Sequence, residues 1–367
     1  MDERKCRCED GAKTSSRHPQ KPQKTHQADL DASERSCNSH CQYTIAWICA
    51  LHIEVAAARA MLDEIHQALP MDTNDTNTYT LGSIERHNVV IACLPVDQYG
   101  TNNAATVLTH LVRTFPEIRL GLMVGIGGGV PDEADVRLGD IVLGTSVIQH
   151  DLGKIVEDGL QSHASPRCPP PVLSTAVASL RAQHEGGGSR IPFILRQRFE
   201  GQPEYGRPTS PDHLFLPTYN HISQGPSCGE CDHSRLVSRE RRSTDDPLIH
   251  YGRIASGNQV MRSGTQRVKL AAKLGVICFE MEAAGLMDIL PCLPIRGICD
   301  YADSHKNKEW QRYAAATAAA YAKEFLSVLP VTQVCAQATY VPSSCELFSG
   351  FLETCSRLRL ACCNTEA

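Results

Sequence analysis

Residues 276–285 read VICFEMEAAG, an apolar run that ends in Glu280 and Glu282. Spaced i and i+2, the two carboxylates project from one face of a strand where a small-residue helix begins. Acids this close to a hydrophobic run must be paired or hydrogen-bonded, the setting of a binding or catalytic group rather than of a solvated strand end. A second run, PIRGIC at 294–299, delivers Asp300 at its own C-terminal edge, and a third, residues 43–51, turns into a helix at Glu54. Either of these last two acids alone could be a helix cap or a turn residue. Together the three point at one rim, the carboxyl edge where open α/β sheets bind ligands. Glycines 125–129, after another apolar run, would let a ligand approach backbone N–H groups. They are no dinucleotide fingerprint, because that spacing needs glycine where Val130 stands.

The elements that must position these acids follow from hydrophobic periodicity. Strands are predicted over 43–51, 79–84, 89–94, 120–124, 140–143, 249–255, 276–279 and 294–299. Helices are predicted over 54–65, 103–114, 309–328 and near 172–183. Short apolar runs alternating with helical ones imply an α/β sheet covered on its faces. Residues 159–247, broken by Pro169-Pro170-Pro171 and Gly186-Gly187-Gly188, are expected to form a long insertion in a domain spanning 43–330. Residues 1–42 have almost no aliphatic side chains and are expected to be a disordered leader. The tail, 331–367, suggests no function.

The chain has 367 residues, with 36 Lys plus Arg against 41 Asp plus Glu and a net charge of -5. No Lys/Arg-rich run exists, so the sequence offers no footprint for nucleic acid or an anionic membrane. Neither a spanning helix nor a signal peptide is expected, and a cytoplasmic location follows as an expectation. The 17 cysteines are scattered through a chain long enough to bury a core, and read as reduced thiols. Cys6, Cys8, Cys37 and Cys41 are too irregularly spaced for a metal site. Cys228 and Cys231 have metal-ligand spacing with His213, His221 and His233 nearby; an exposed loop is the expectation and structural zinc the alternative. His150 and Asp151 read as loop residues.

The strings ALHIEV (50–55), VGIGGGV (124–130), LGDIV (138–142), IASGNQVM (254–261), FEMEAAG (279–285) and IRGICDYAD (295–303) resemble, in order, the nucleoside phosphorylase and nucleosidase superfamily. The resemblance covers 43 to about 328, and its longer wording, HYGRIASGNQVM and CDYADSHKNKEWQRYAAATAAAYAKEFL, is similar to the fungal branch, whose members often carry this domain ahead of ankyrin or NTPase-repeat modules. It implies a three-layer α/β/α fold around a central mixed, partly barrel-like sheet, and cleavage of the N-glycosidic bond of a purine nucleoside. It assigns Asp300 to protonating the purine at N7 and Glu54 to activating water. Glu282 is assigned to the ribose hydroxyls, Met281 to packing beside the sugar, and Gly127 and Gly128 to a loop near the nucleophile. Glu280, Asn258 and Val260 complete the implied substrate-binding set. No metal or organic cofactor is implied, and a homodimer is the expected assembly.

The chemistry agrees with these assignments. A purine anion is a poor leaving group and needs an acid kept neutral near pH 7, which Asp300 beside apolar strands would suit. A carboxylate on the ribose hydroxyls orients the ring and opposes the charge of an oxocarbenium ion. Glu54 is present, and no arginine follows in its helix turn before Arg59, which favours water over phosphate as nucleophile. The alternatives are a phosphorylase, with Arg137, Arg253 or a partner-subunit residue on phosphate, and a nucleoside-sensing module without catalysis. The chain departs from the resemblance in two places. Val260 and Met261 stand in the segment where nucleosidases place a phenylalanine on the base, and Cys299 stands where they have serine. With the long insertion, a 5′-phosphate or larger nucleotide is a further possible substrate.

Overall fold

The computed structural model describes residues 39–335 and 337, apart from 158, 163, 223, 224 and 226. The expected leader therefore lies outside the described residues up to position 38, with His40–Gln42 forming a 3-10 turn. The tail lies outside them beyond a short helix and residue 337.

The apolar segment Ile45–Cys49 is buried along its whole length and forms the first strand, β1, followed by α1 (His52–Met61). Then come β2 (Glu64–Ile65), β3 (Tyr79–Ile84), β4 (His87–Cys93), α2 (Thr101–Thr114), β5 (Leu120–Gly129) and β6 (Ile141–Gln149). After β7 (Gly153–Val156), the inserted stretch carries β8 (Gly159–Ser162), α3 (Pro171–Gly187) and α4 (Ile191–Arg198). The chain continues through β9 (Ile249–Ser256), α5 (Gly264–Leu274), β10 (Val276–Glu280), α6 (Ala283–Leu286), β11 (Cys292–Asp300), α7 (Gln311–Val328) and α8 (Val331–Cys335).

Nine strands form one mixed sheet in the order β10-β9-β6-β11-β5-β1-β4-β3-β2, and a further β10–β5 pairing closes five of them into a barrel. Alternate residues of β1 face opposite layers. Ile45, Trp47 and Cys49 pack with α1, α3, α4 and α7, whereas Ala46 and Ile48 pack with α2 and Leu286. Helices therefore cover both faces, as the three-layer expectation required. Alanine-rich α7 is buried from Tyr313 to Leu326, because small side chains let it lie directly on the sheet.

Two expectations need correction. The glycine run is not a loop, since residues 125–129 continue β5. Here β5 gives up β1, its partner as far as Ile48 opposite Met123, and takes β10, with Phe279 opposite Gly128 and Cys278 opposite Gly129. A Cβ on Gly127 would lie 2.7 Å from the Cys278 sulfur, so closing the barrel requires glycine there. The helix expected over 54–65 stops at Met61, because Leu62 turns extended and Glu64–Ile65 pair with β3. Within the insertion, Val172, Leu173, Ile191 and Ile194 of α3 and α4 belong to the main core. Among the described residues, no helix is long and apolar enough to cross a membrane.

Gly297 of β11 faces α7 so closely that a Cβ would sit 1.8 Å from the Ala314 carbonyl oxygen. Gly297→Ala is expected to destabilise the protein by about 1–3 kcal/mol or more, as overpacked cores do. Urea denaturation checks this, and an unchanged midpoint would contradict the contact.

Candidate active site

Where β1 and β5 separate, the backbone N–H of Ile126 loses its strand partner, and Glu54 takes it. Placed in the first turn of α1, Glu54 accepts the Ile126 N–H on Oε1 at 2.8 Å, and those of Ala50 and Leu51 on Oε2 at 2.7 and 2.9 Å. Burial pushes its pKa above the ordinary value, opposed by the Arg296 charge and the three N–H donors.

Arg296 is fully buried in β11. Its Nη2 donates to Glu280 and lies 3.4 Å from Glu282 Oε2. A Cβ on Gly125 would lie 2.5 Å from Glu54 Oε1 and 2.6 Å from Arg296 Nη1, so that glycine opens the space the two groups share. Glu280 also accepts the N–H groups of Glu282 and Ala283 at the start of α6. It thus orients Arg296 and the neighbouring carboxylate. Glu282 is pushed up to about 8: burial is the main cause, Glu280 and Glu54 add to it, and Arg296 opposes it. Three buried carboxyl groups thus share one guanidinium, whose Nε and Nη1 have no hydrogen-bond partner among the described residues.

Asp300 ends β11 opposite Gly128, where a Cβ would meet its Oδ1 at 2.9 Å. From Gly125, beside Glu54, to Gly128, beside Asp300, β5 advances three residues, about 10 Å. That is the scale of a nucleoside from ribose to purine. The expected apolar surround of Asp300 is not what the fold provides. Its Oδ1 accepts the Ala302 N–H and the Lys306 ammonium, both at 2.8 Å, while the Cys299 thiol lies 3.2 Å from Oδ2. Burial pulls the Lys306 pKa down, but Asp300 and Cys299 outweigh it and leave it raised.

The other expected residues are distributed unevenly. Met281 is half-buried between the two glutamates. Asn258 is engaged by the fold, its Oδ1 accepting the Thr101 N–H at 3.0 Å and its Nδ2 donating to Asp151 at 3.0 Å. Val260 is 56% exposed and provides no packed platform for a base. The two arginines considered for phosphate are bound elsewhere: Arg137 pairs with Asp135, and Arg253 donates to the Leu274 carbonyl at 2.6 Å.

Sequence reasoning missed Arg296 and Lys306, and it named His150 only as a loop residue. Arg296 was legible in principle, since a lone cation inside PIRGIC has to find carboxylates. Lys306 reaches Asp300 only through the turn after β11. His150 is buried edge-on to Phe279 at 5.8 Å, its pKa lowered chiefly by burial, and its Nε2 has no hydrogen-bond partner among the described residues.

Comparison with known proteins identifies this architecture. The model of the phosphorylase superfamily matches residues 44–193. Over that span the chain is similar to the phosphorylase superfamily. A nucleotide-binding leucine-rich repeat (NLR)-like protein of Hyaloscypha variabilis is 46% identical over 298 residues, 78% of this chain, which spans only 29% of that relative's length. The chain is also 26% identical to the 5′-methylthioadenosine/S-adenosylhomocysteine nucleosidase of Mycobacterium bovis, over 80% of this chain and 99% of that one. Two Helicobacter pylori structures share the fold. Futalosine hydrolase has a TM-score of 0.54 at 16% identity, covering 79% of this chain and 99% of its own. 5′-Methylthioadenosine/S-adenosylhomocysteine nucleosidase, complexed with a pyrrolopyrimidine-bearing pyrrolidinol, has 0.53 at 15%, covering 78% and 98%.

The raised pKa of Glu282 has a defined sign. Between its ordinary 4.5 and about 8 the folded protein holds a proton that the unfolded chain has released, so stability falls as pH rises through that window. Glu282→Gln should flatten this fall, leaving wild type to lose on the order of 5 °C more in Tm between pH 5 and 8. Parallel Tm profiles for the two proteins would contradict it.

Proposed function

We propose that the protein hydrolyses the N-glycosidic bond of adenosine-like purine nucleosides, releasing free base and ribose. The observation that carries this reading is the convergence of Glu54, Arg296 and Glu282 at one end of a nucleoside-length stretch of β5 and Asp300 at the other.

In this reading Glu282 holds the ribose hydroxyls with Met281 beside the sugar, and the C1′–N9 bond lies between the two ends of the site. Asp300 hands a proton to N7 of the departing base, so the bond's electron pair leaves on a neutral purine. Lys306 fixes Oδ1 of Asp300, and the proton passes to the base from Oδ2, beside the Cys299 thiol. Water attacks the oxocarbenium carbon, gives its proton to Glu54 and accepts a hydrogen bond from the unpartnered Arg296 Nη1. A carboxyl with a raised pKa suits this step, because a base is most effective when its pKa lies near the working pH. Water is preferred to phosphate because Arg137 and Arg253 have partners away from the cluster. A second reading, nucleoside sensing without turnover, is favoured by the likeness to the NLR-like protein.

Incubation with adenosine, its 5′-thioether analogues and 5′-nucleotides, with and without phosphate, tests the proposal by chromatography of the products. Free purine and ribose are expected at the same rate in both buffers, and Asp300→Asn should lower turnover by about 10²- to 10⁴-fold while leaving Tm unchanged. Strict phosphate dependence with ribose 1-phosphate as product would overturn hydrolysis. Binding without base release would establish the sensing reading instead.

A further inference from the structure

The inserted segment that carries Cys228 and Cys231 returns to the turn that follows Asp300. The His221 N–H donates to Ser304 Oγ at 2.9 Å, and the Cys228 sulfur lies 4.0 Å from the His305 carbonyl oxygen. One ligand atom from each of His221, Cys228 and Cys231 lies within 4.8 Å of the other two. A tetrahedral zinc ion with bonds of about 2.0–2.3 Å would hold such atoms roughly 3.5–4 Å apart, a small contraction from that spacing.

Two further observations point to a cation. Cys231 is only 5% exposed although Gly229, Glu230, Asp232 and His233 around it are exposed. His305 is 8% exposed, its ring 5.5 Å from that of His221, and neither of its ring nitrogens has a hydrogen-bond partner among the described residues. Its nearest charge is Asp303, 3.6 Å from Nδ1. The His305 ring stacks on Phe215 with centroids 4.2 Å apart, and its two unpartnered nitrogens are the kind of buried polar group that calls for a further partner.

We propose that His221, Cys228 and Cys231 bind a zinc ion that fixes the 221–231 loop of the inserted segment where it meets the turn after Asp300. Two thiolates balance the charge of the ion, and the soft sulfur and imidazole donors select zinc over magnesium or calcium. The fourth position takes water. The Cys228–Cys231 turn is already set for ligation, with the Cys231 N–H donating to the Cys228 carbonyl at 3.1 Å. A cavity of about 220 Å³ is lined by Cys228, Gly229, Asp300, Asp303 and His305, so the ion would fix one wall of the space beside Asp300. This proposal is independent of the reaction assigned to the protein.

The test uses the full chain, purified under reducing conditions and reconstituted with zinc, with metal content read by mass spectrometry and without any turnover assay. About one zinc per chain is expected, lost in Cys228→Ser/Cys231→Ser and weakened in His221→Ala. Replacing zinc by cobalt should give the sulfur-to-cobalt absorption of a tetrahedral thiolate site. A high-affinity chelator should lower Tm in wild type and leave the double variant unchanged. Zinc below about one-tenth per chain after reconstitution, equal zinc in the double variant, or a Cys228–Cys231 disulfide under the same conditions would overturn the proposal.

Discussion

A single buried guanidinium organises this molecule's chemistry. Arg296 enters the core on β11 and meets Glu280 and Glu282 from β10 and α6, with Glu54 from α1 across the gap left by Gly125. A buried cation without partners would be prohibitive, and so would these carboxylates without it. Each element that delivers a member of the cluster is therefore held in register by charge as well as by packing. Because the acids outnumber the guanidinium, burial raises the pKa values of Glu54 and Glu282, producing a carboxyl suited to proton transfer without any additional device.

The barrel supplies the opening. An ordinary open sheet would continue β1 alongside β5 to the end; here β5 exchanges β1 for β10 over a few residues. Between the two partners, Ile126 needs an acceptor and finds Glu54. The same exchange brings the ends of β10 and β11 to opposite sides of the glycine run, which places the Glu282 and Asp300 ends of the site along one strand. Glycine is required because sulfur, guanidinium and carboxylate atoms occupy the positions where side chains would stand.

Much of this was legible in the sequence. The acids at 54, 282 and 300 declared themselves because carboxylates abut apolar runs, and the strand and helix pattern gave the layered fold because burial on both faces leaves unbroken hydrophobic segments. What stayed hidden depended on contacts distant in sequence. The glycines read as a loop, since only barrel closure makes them strand. Lys306 reaches Asp300 through a turn that no periodicity announces, and α4 looked like part of an irregular insertion because its apolar face acquires meaning only against α7.

The most direct measurement of the central claim is a crystal structure with a bound, non-hydrolysable adenosine analogue. The account predicts ribose hydroxyls on Glu282, N7 within hydrogen-bond distance of Asp300, and the Glu54–Arg296 pair facing the anomeric position. A sugar bound away from Glu282, or a purine that does not reach Asp300, would contradict it.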